Sequence, residues 1–233
     1  GVQVGAPTLD FATANQWKDG VVKQMTSGVA TLFKANGVEW VKGAGRFKDA
    51  NTIAVEGGED VSFKHAIIAT GSYPLRPPIE GLDSPRCVDS TGLLAQTEVP
   101  RRLVVLGGGI IGCEFASILN RFGSEVTIIE MLPSLIPQED VDAAVELAKQ
   151  FGRRGITLHL GTSAERVDDT GSELRVHFGG GQTVEADLML VATGRGPTVE
   201  GLGLEQIGVE FDTRQGIAAD DISRIFDLFY RIE

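Results

Sequence analysis

Apolar residues recur at helical spacing across positions 10–36, at Phe11, Ala14, Trp17, Val21, Val22, Met25, Val29, Leu32 and Phe33. That period predicts one long amphipathic helix with a broad buried face. Three shorter apolar runs follow, Val38 to Val41, Thr52 to Val55 and Ser62 to Thr70. Between them lie Gly43-Ala-Gly45, Asp49-Ala-Asn51 and Glu56-Gly-Gly58, all turn chemistry, so the runs are predicted as strands. Ala69-Thr70-Gly71-Ser72-Tyr73-Pro74 ends the last run abruptly, and Pro77-Pro78 forces an extended connector. A boundary is expected between about Pro74 and Pro100.

From Arg101 the pattern becomes α/β alternation: strand 103–106, helix 110–122, strand 125–130 and helix 138–153. Strand-like runs at 156–160, 173–178 and 184–192 come next, with turns at Asp168 to Gly171 and Gly179-Gly180-Gly181. Parallel strands need helical crossovers, whereas these short turns predict an antiparallel meander. The run 188–195 ends in Ala-Thr-Gly-Arg, as the run 66–72 ends in Ala-Thr-Gly-Ser. Two domains finishing alike point to an internal duplication.

The strand at 103–106 runs directly into Gly107-Gly108-Gly109-Ile110-Ile111-Gly112, and the next strand closes on Glu130. A lone GxGxxG carries little weight. Placed between strand and helix, with a carboxylate about twenty residues on, it predicts a dinucleotide site. Gly107 permits the tight turn, Gly109 lets a pyrophosphate approach the backbone, and Gly112 lets the helix pack on the sheet. The free N–H groups of the helix starting near Ile110 favour phosphate. Glu130 can accept hydrogen bonds from a ribose diol and would repel a 2′-phosphate. Met131-Leu132-Pro133 supply no arginine to offset that charge, so NAD(H) is expected over NADP(H).

Composition narrows the class. The chain has 233 residues, enough for one large domain or two modest ones. Its net charge of −11 argues against a nucleic-acid partner, which needs a basic surface. No apolar run reaches the length of a membrane span, and no basic-then-apolar leader opens the chain, so no membrane partner is expected. Two cysteines, Cys87 and Cys113, stand far apart without metal spacing, which predicts packing roles, no metal site and a reduced, cytoplasmic setting. His65, His159 and His177 are read as partly exposed or satisfied histidines on strands.

Several motifs together resemble the two-dinucleotide-fold flavoprotein disulfide reductases of the pyridine nucleotide-disulfide oxidoreductase family, and within it the dihydrolipoyl dehydrogenase type. They are Pro7-Thr-Leu-Asp10, Leu32-Phe33-Lys34, Gly43-x-Gly45-x-Phe47, Ile68-Ala-Thr-Gly-Ser72 and Gly107 to Glu114. The resemblance covers about 1–219. It implies an α/β fold, a Rossmann-like NAD-binding domain inserted in a partial FAD-binding domain. The expected division is 1–88 for the FAD part, 89–210 for the NAD domain and 211–233 for an atypical tail. The cofactors implied are FAD and NAD. Gly45, Thr70, Gly71 and Ser72 resemble FAD contacts. Gly107 to Gly112 with Glu130 would take NAD, Glu114 resembles the carboxylate near the nicotinamide, Val167 would lie against adenine, and Gly194 would close over the dinucleotide. Thr198 stands where the family commonly has Asn.

In that family a dihydrolipoyl dithiol is oxidised through a Cys-x4-Cys disulfide and FAD to NAD. These residues contain no Cys-x4-Cys, and the first GxGxxG for FAD and the domain with the catalytic His-Glu pair are expected to lie outside them. No catalytic residue is therefore assigned, and the chain is expected to be a fragment that binds NAD(H) weakly without turning over lipoamide. The partner implied for the parent is the dihydrolipoyl domain of a 2-oxoacid dehydrogenase or glycine cleavage complex. The family forms homodimers, although the usual dimer surface is not expected in this chain. Alternatives of the same fold are a soluble transhydrogenase or NADH oxidase; from another class, a non-catalytic NAD-binding or interaction module. Asp221 to Glu233 resembles a segment near the ATP lid of sensor histidine kinases and is read as an amphipathic terminal helix bearing Ile222, Ile225, Phe226, Phe229 and Tyr230.

Overall fold

The computed structural model describes residue 5 and residues 8–217, so the expected terminal helix of 221–233 lies outside the described residues. In chain order the elements are α1 (Phe11–Ala35), β1 (Gly45–Asp49), β2 (Thr52–Val55), β3 (Val61–Ser62), β4 (Ser72–Pro74), β5 (Cys87–Val88), α2 (Ser90–Leu94) and β6 (Arg102–Leu106). Next come α3 (Ile110–Arg121), β7 (Glu125–Glu130), α4 (Val141–Arg153), β8 (Thr157–Leu160), β9 (Ala164–Asp169), β10 (Leu174–Phe178), β11 (Gln182–Ala186) and β12 (Leu188–Val191). β13 (Arg195–Pro197), a 3-10 turn at Leu204–Ile207, β14 (Phe211–Asp212) and β15 (Gly216–Ile217) complete the described chain. Two compact units result. Among the described residues, one joins 8–25 to Pro74–Gly194, the other Thr26–Tyr73 to 195–217.

The first unit is built on a five-stranded sheet ordered β5-β12-β6-β7-β8. All four pairings in it are parallel. From β6 the chain steps through β7 to β8 on one side, and β12 later pairs on the other side of β6. That reversal is the switch point at which Rossmann-like sheets take their ligand. Val104, Val105, Ile128, Ile129, Met189 and Leu190 are almost wholly buried, as expected of parallel strands covered on both faces. One face packs on α3 and α4 through Cys113, Ala116, Leu119 and Phe151. The other packs on Val167, Leu174, Val176 and Phe178 of the antiparallel meander β9-β10-β11. The run 184–192 divides at Asp187, which ends the meander and begins the parallel strand β12. Arg102, at the start of β6, fixes this corner by meeting Glu173, Glu185 and Asp187 at 2.8, 3.0 and 2.7 Å.

The second unit gathers β1-β2-β3 into an antiparallel sheet. Phe47, Val199 and Leu204 are its buried centre, with Ile53, Phe63, Ile68 and Ile217 packed around them. Two sequence expectations fail here. The run Val38 to Val41 forms no strand, and of Ser62 to Thr70 only Ser62 is in a ladder. An apolar run becomes a strand only where a neighbour accepts from its N–H groups and donates to its C=O groups. β12 has β5 and β6 on either side. Residues 66–70 join no ladder, and Ile67 is 81% exposed.

The long helix forms as its periodicity predicts, but its apolar face is not buried. No residue of α1 is buried, and Trp17 and Met25 are 73% and 67% exposed. In the first unit Phe11 meets the Phe122 ring edge-on at 5.7 Å, and Lys18 Nζ donates to the Leu94 carbonyl at 2.7 Å. Spacing reports which residues share a face, not what covers it. Among the described residues no helix is long and apolar enough to cross a membrane.

Candidate functional site

Four glycines open α3, and they differ in why they are glycine. A Cβ on Gly107, whose φ is +110°, would sit 2.4 Å from the Ala192 carbonyl oxygen. One on Gly108 would lie 2.7 Å from Leu135 Cδ2, and one on Gly112 would lie 2.1 Å from the Gly107 oxygen. These three are demanded by packing. Gly109 is different: its φ of −72° suits any residue, and a Cβ there would meet nothing within 4 Å. The fold leaves open space where side chains are normally found.

That space lies at the uncapped start of α3. Gly109 is the N-cap, and no side chain caps the helix. The first turn therefore presents unpaired N–H groups and the positive end of the helix dipole. Ile110 is exposed, Ile111 half-buried, and Glu114, one turn on, is exposed. The contact between Gly107 and Ala192 brings the ends of β6 and β12 together at the switch point, and the Ala192 N–H donates to the Leu106 carbonyl at 2.8 Å. Gly194, with φ +129°, is two residues further along that second turn.

Glu130 ends β7 and is buried at 8% exposure. Its Oε2 accepts the Gly108 N–H, and its Oε1 accepts the Leu132 N–H at 2.7 Å. Each oxygen keeps a lone pair for a further donor. The ribose-binding carboxylate expected from sequence is thus also a brace between β7 and the glycine turn. Val167 is placed differently. Its side chain is buried at 3% exposure, and its N–H donates to the Glu80 carbonyl at 2.9 Å. Cys113 is a free, buried thiol, pushed up to about 11 by burial and then by the Glu130 charge. It donates to the Gly108 carbonyl at 3.3 Å.

In the second unit Gly45 lies on β1 opposite Val55. Thr70, Gly71 and Ser72 are tied to a different segment. The Thr70 hydroxyl donates to the Thr198 carbonyl at 2.6 Å, and the Thr198 N–H donates to the Gly71 carbonyl at 3.0 Å. Arg195 Nε donates to Ser72 Oγ at 2.8 Å, and its guanidinium also reaches the Ser72 carbonyl. The first unit repeats the scheme. There the Thr193 hydroxyl donates to the Leu75 carbonyl at 3.1 Å, and the Leu75 N–H donates to the Gly194 carbonyl at 3.0 Å. Residue for residue, Thr70 answers Thr193, Gly71 answers Gly194 and Thr198 answers Leu75. The repeated Ala-Thr-Gly therefore has a repeated hydrogen-bonding role, which sequence similarity alone did not supply.

An apolar cavity of about 350 Å³ in the second unit had no sequence signal. Phe47, Phe63, Ala66, Ile68, Ile207 and Val209 line it, with Lys64 and His65. It borders residues expected as a strand that join no ladder.

Comparison with known proteins accords with this geometry. The family described as "Pyridine nucleotide-disulphide oxidoreductase" matches residues 4–226. Dihydrolipoamide dehydrogenase of Chaetomium thermophilum is 39% identical over 230 residues, covering 94% of this chain and 46% of that protein. Dihydrolipoyl dehydrogenase of Thermus scotoductus is 42% identical over 215 residues, covering 89% and 46%. Among solved structures, the HOCl-induced flavoprotein disulfide reductase RclA from Escherichia coli superimposes with a TM-score of 0.81 at 31% identity, covering 90% of this chain and 48% of that one. The chain spans about half the length of the relatives it matches.

Proposed function

The chain belongs to the pyridine nucleotide-disulphide oxidoreductase family, and from that premise we propose that its glycine turn binds NAD(H) within an oxidoreductase of the dihydrolipoyl dehydrogenase type. The family implies FAD and a nicotinamide dinucleotide. The observation that carries the reading is Gly109, a glycine that packing does not require, facing open space at an uncapped helix start. A pyrophosphate fits such a cradle because it accepts the free N–H groups and is attracted by the helix dipole.

In this reading the NAD domain lies within 89–210, and residues 1–88 include part of the FAD domain. Glu130 receives the adenosine ribose hydroxyls on its remaining lone pairs, and its charge disfavours a 2′-phosphate. Gly194 borders the dinucleotide at the switch point, Glu114 faces the nicotinamide end, and the Val167 backbone lies beside adenine. Gly45, Thr70, Gly71 and Ser72 meet FAD. Bound there, FAD would supply a redox group between a dithiol donor and NAD+, which would serve as hydride acceptor. The partner proposed for the whole protein is a dihydrolipoyl domain, and the assembly a homodimer.

Titration by nucleotide fluorescence tests the coenzyme assignment. NADH is expected to bind at least tenfold more tightly than NADPH, and Glu130→Ala is expected to narrow that ratio. Equal affinity of the wild-type chain for both would overturn the assignment.

A further inference from the structure

Ile136 stands apart: among the described residues it is the single non-glycine with a positive φ, +40°. A β-branched side chain there strains the backbone, so the surrounding contacts must hold it. Its N–H donates to the Gly108 carbonyl at 2.8 Å. The same oxygen accepts the Cys113 thiol at 3.3 Å. Leu135, fully buried beside Ile136, packs directly over Gly108. The Gly108 N–H is meanwhile held by Glu130.

The Gly108 carbonyl belongs to the same planar peptide as the Gly109 N–H, and in a trans peptide the two point in opposite directions. Two donors on the oxygen therefore aim the Gly109 N–H away from Ile136 and Cys113, into the space that a Cβ of Gly109 would meet empty. We infer that Ile136 and Cys113 are positioning residues that orient the Gly109 amide for the pyrophosphate. The strain at Ile136 is what remains when its N–H is brought onto the glycine turn. This inference rests on the dinucleotide reading above and adds to it the groups that preorganise the phosphate contact.

The test compares the wild-type 233-residue chain with Cys113→Ala, Cys113→Ser and Ile136→Pro, using ADP-ribose, which carries the pyrophosphate, and adenosine, which does not. Binding is followed by amide NMR, and thermal midpoints are recorded alongside. Cys113→Ala is expected to weaken ADP-ribose about threefold or more, with adenosine unchanged, since one weak donor to the carbonyl is lost. Cys113→Ser, which keeps a donor, should restore most of the affinity. Ile136→Pro, which lacks the N–H and whose ring cannot hold a positive φ, removes the whole contact and should weaken ADP-ribose further. If that variant does not fold, the cysteine pair still decides the matter. Equal weakening of both ligands by Cys113→Ala, or none of either, would overturn the inference while leaving dinucleotide binding intact. Failure of the wild-type chain to bind ADP-ribose would overturn the dinucleotide reading itself, and this inference with it.

Discussion

The carboxylate of Glu130 accepts the amide proton of Gly108, tying the end of β7 to the glycine turn across 22 residues. The partner oxygen takes the N–H of the exposed Leu132, so the buried carboxylate satisfies one buried and one part-buried donor. Glu130→Gln places an amide NH2 against one of these N–H groups and leaves that donor unpaired. A loss of about 1–3 kcal/mol is expected in urea unfolding, the usual cost of a stranded buried polar group. An unchanged midpoint would show that the brace carries no stability.

Gly112 and Gly109 should separate packing from ligand binding. Gly112→Ala drives a methyl to 2.1 Å from the Gly107 oxygen, backbone that cannot rotate aside. A cost of about 3 kcal/mol is expected, read by chemical denaturation. A near-neutral Gly112→Ala would mean that α3 can shift on the sheet.

Arg102 is the shared cation of Glu173, Glu185 and Asp187. For Asp187, burial alone would raise the carboxyl, but the Arg102 guanidinium and amide outweigh it and hold it below its ordinary 3.8. A depressed folded value adds stability above the unfolded value and loses it as pH falls through the folded one. Arg102→Leu should therefore lower the thermal midpoint at pH 7, with the difference from wild type shrinking below about pH 4. A constant difference across that range would remove Asp187 from the account.

Both thiols are buried and pushed up to about 11, Cys87 by burial and then, against the opposing pull of Arg76, by Asp169 and Asp83. Neither should react appreciably with a thiol-specific disulfide reagent at pH 8 in the folded chain, and both should react on unfolding. Rapid native-state reaction at either position would contradict the packing assignment.

Much of the first unit was legible because its signals are local. Apolar strand, glycine turn, helix and closing carboxylate each depend on neighbours a few residues away, and Gly107, Gly112 and Glu130 lie where that pattern puts them. What escaped depends on distant partners. The helical period of α1 marked its apolar residues but not their exposure. The run 66–70 looked like β12 in sequence, yet a strand exists only beside another. Cys87–Val88 became a sheet edge because β12 offered it a ladder, which no property of the connector announced. At the site, Ile136 was invisible because nothing about an isoleucine after Pro133-Ser-Leu135 advertises a left-handed backbone.

The central claim, that the open space at Gly109 belongs to a dinucleotide pyrophosphate, is tested most directly by Gly109→Val. The substitution puts bulk only where no protein atom lies within 4 Å of the new Cβ. Stability should fall by about 1 kcal/mol, the cost of placing valine at an N-cap that glycine fills better. NADH titration should show affinity reduced by more than tenfold relative to wild type. Undiminished NADH binding by a folded Gly109→Val chain would contradict the claim.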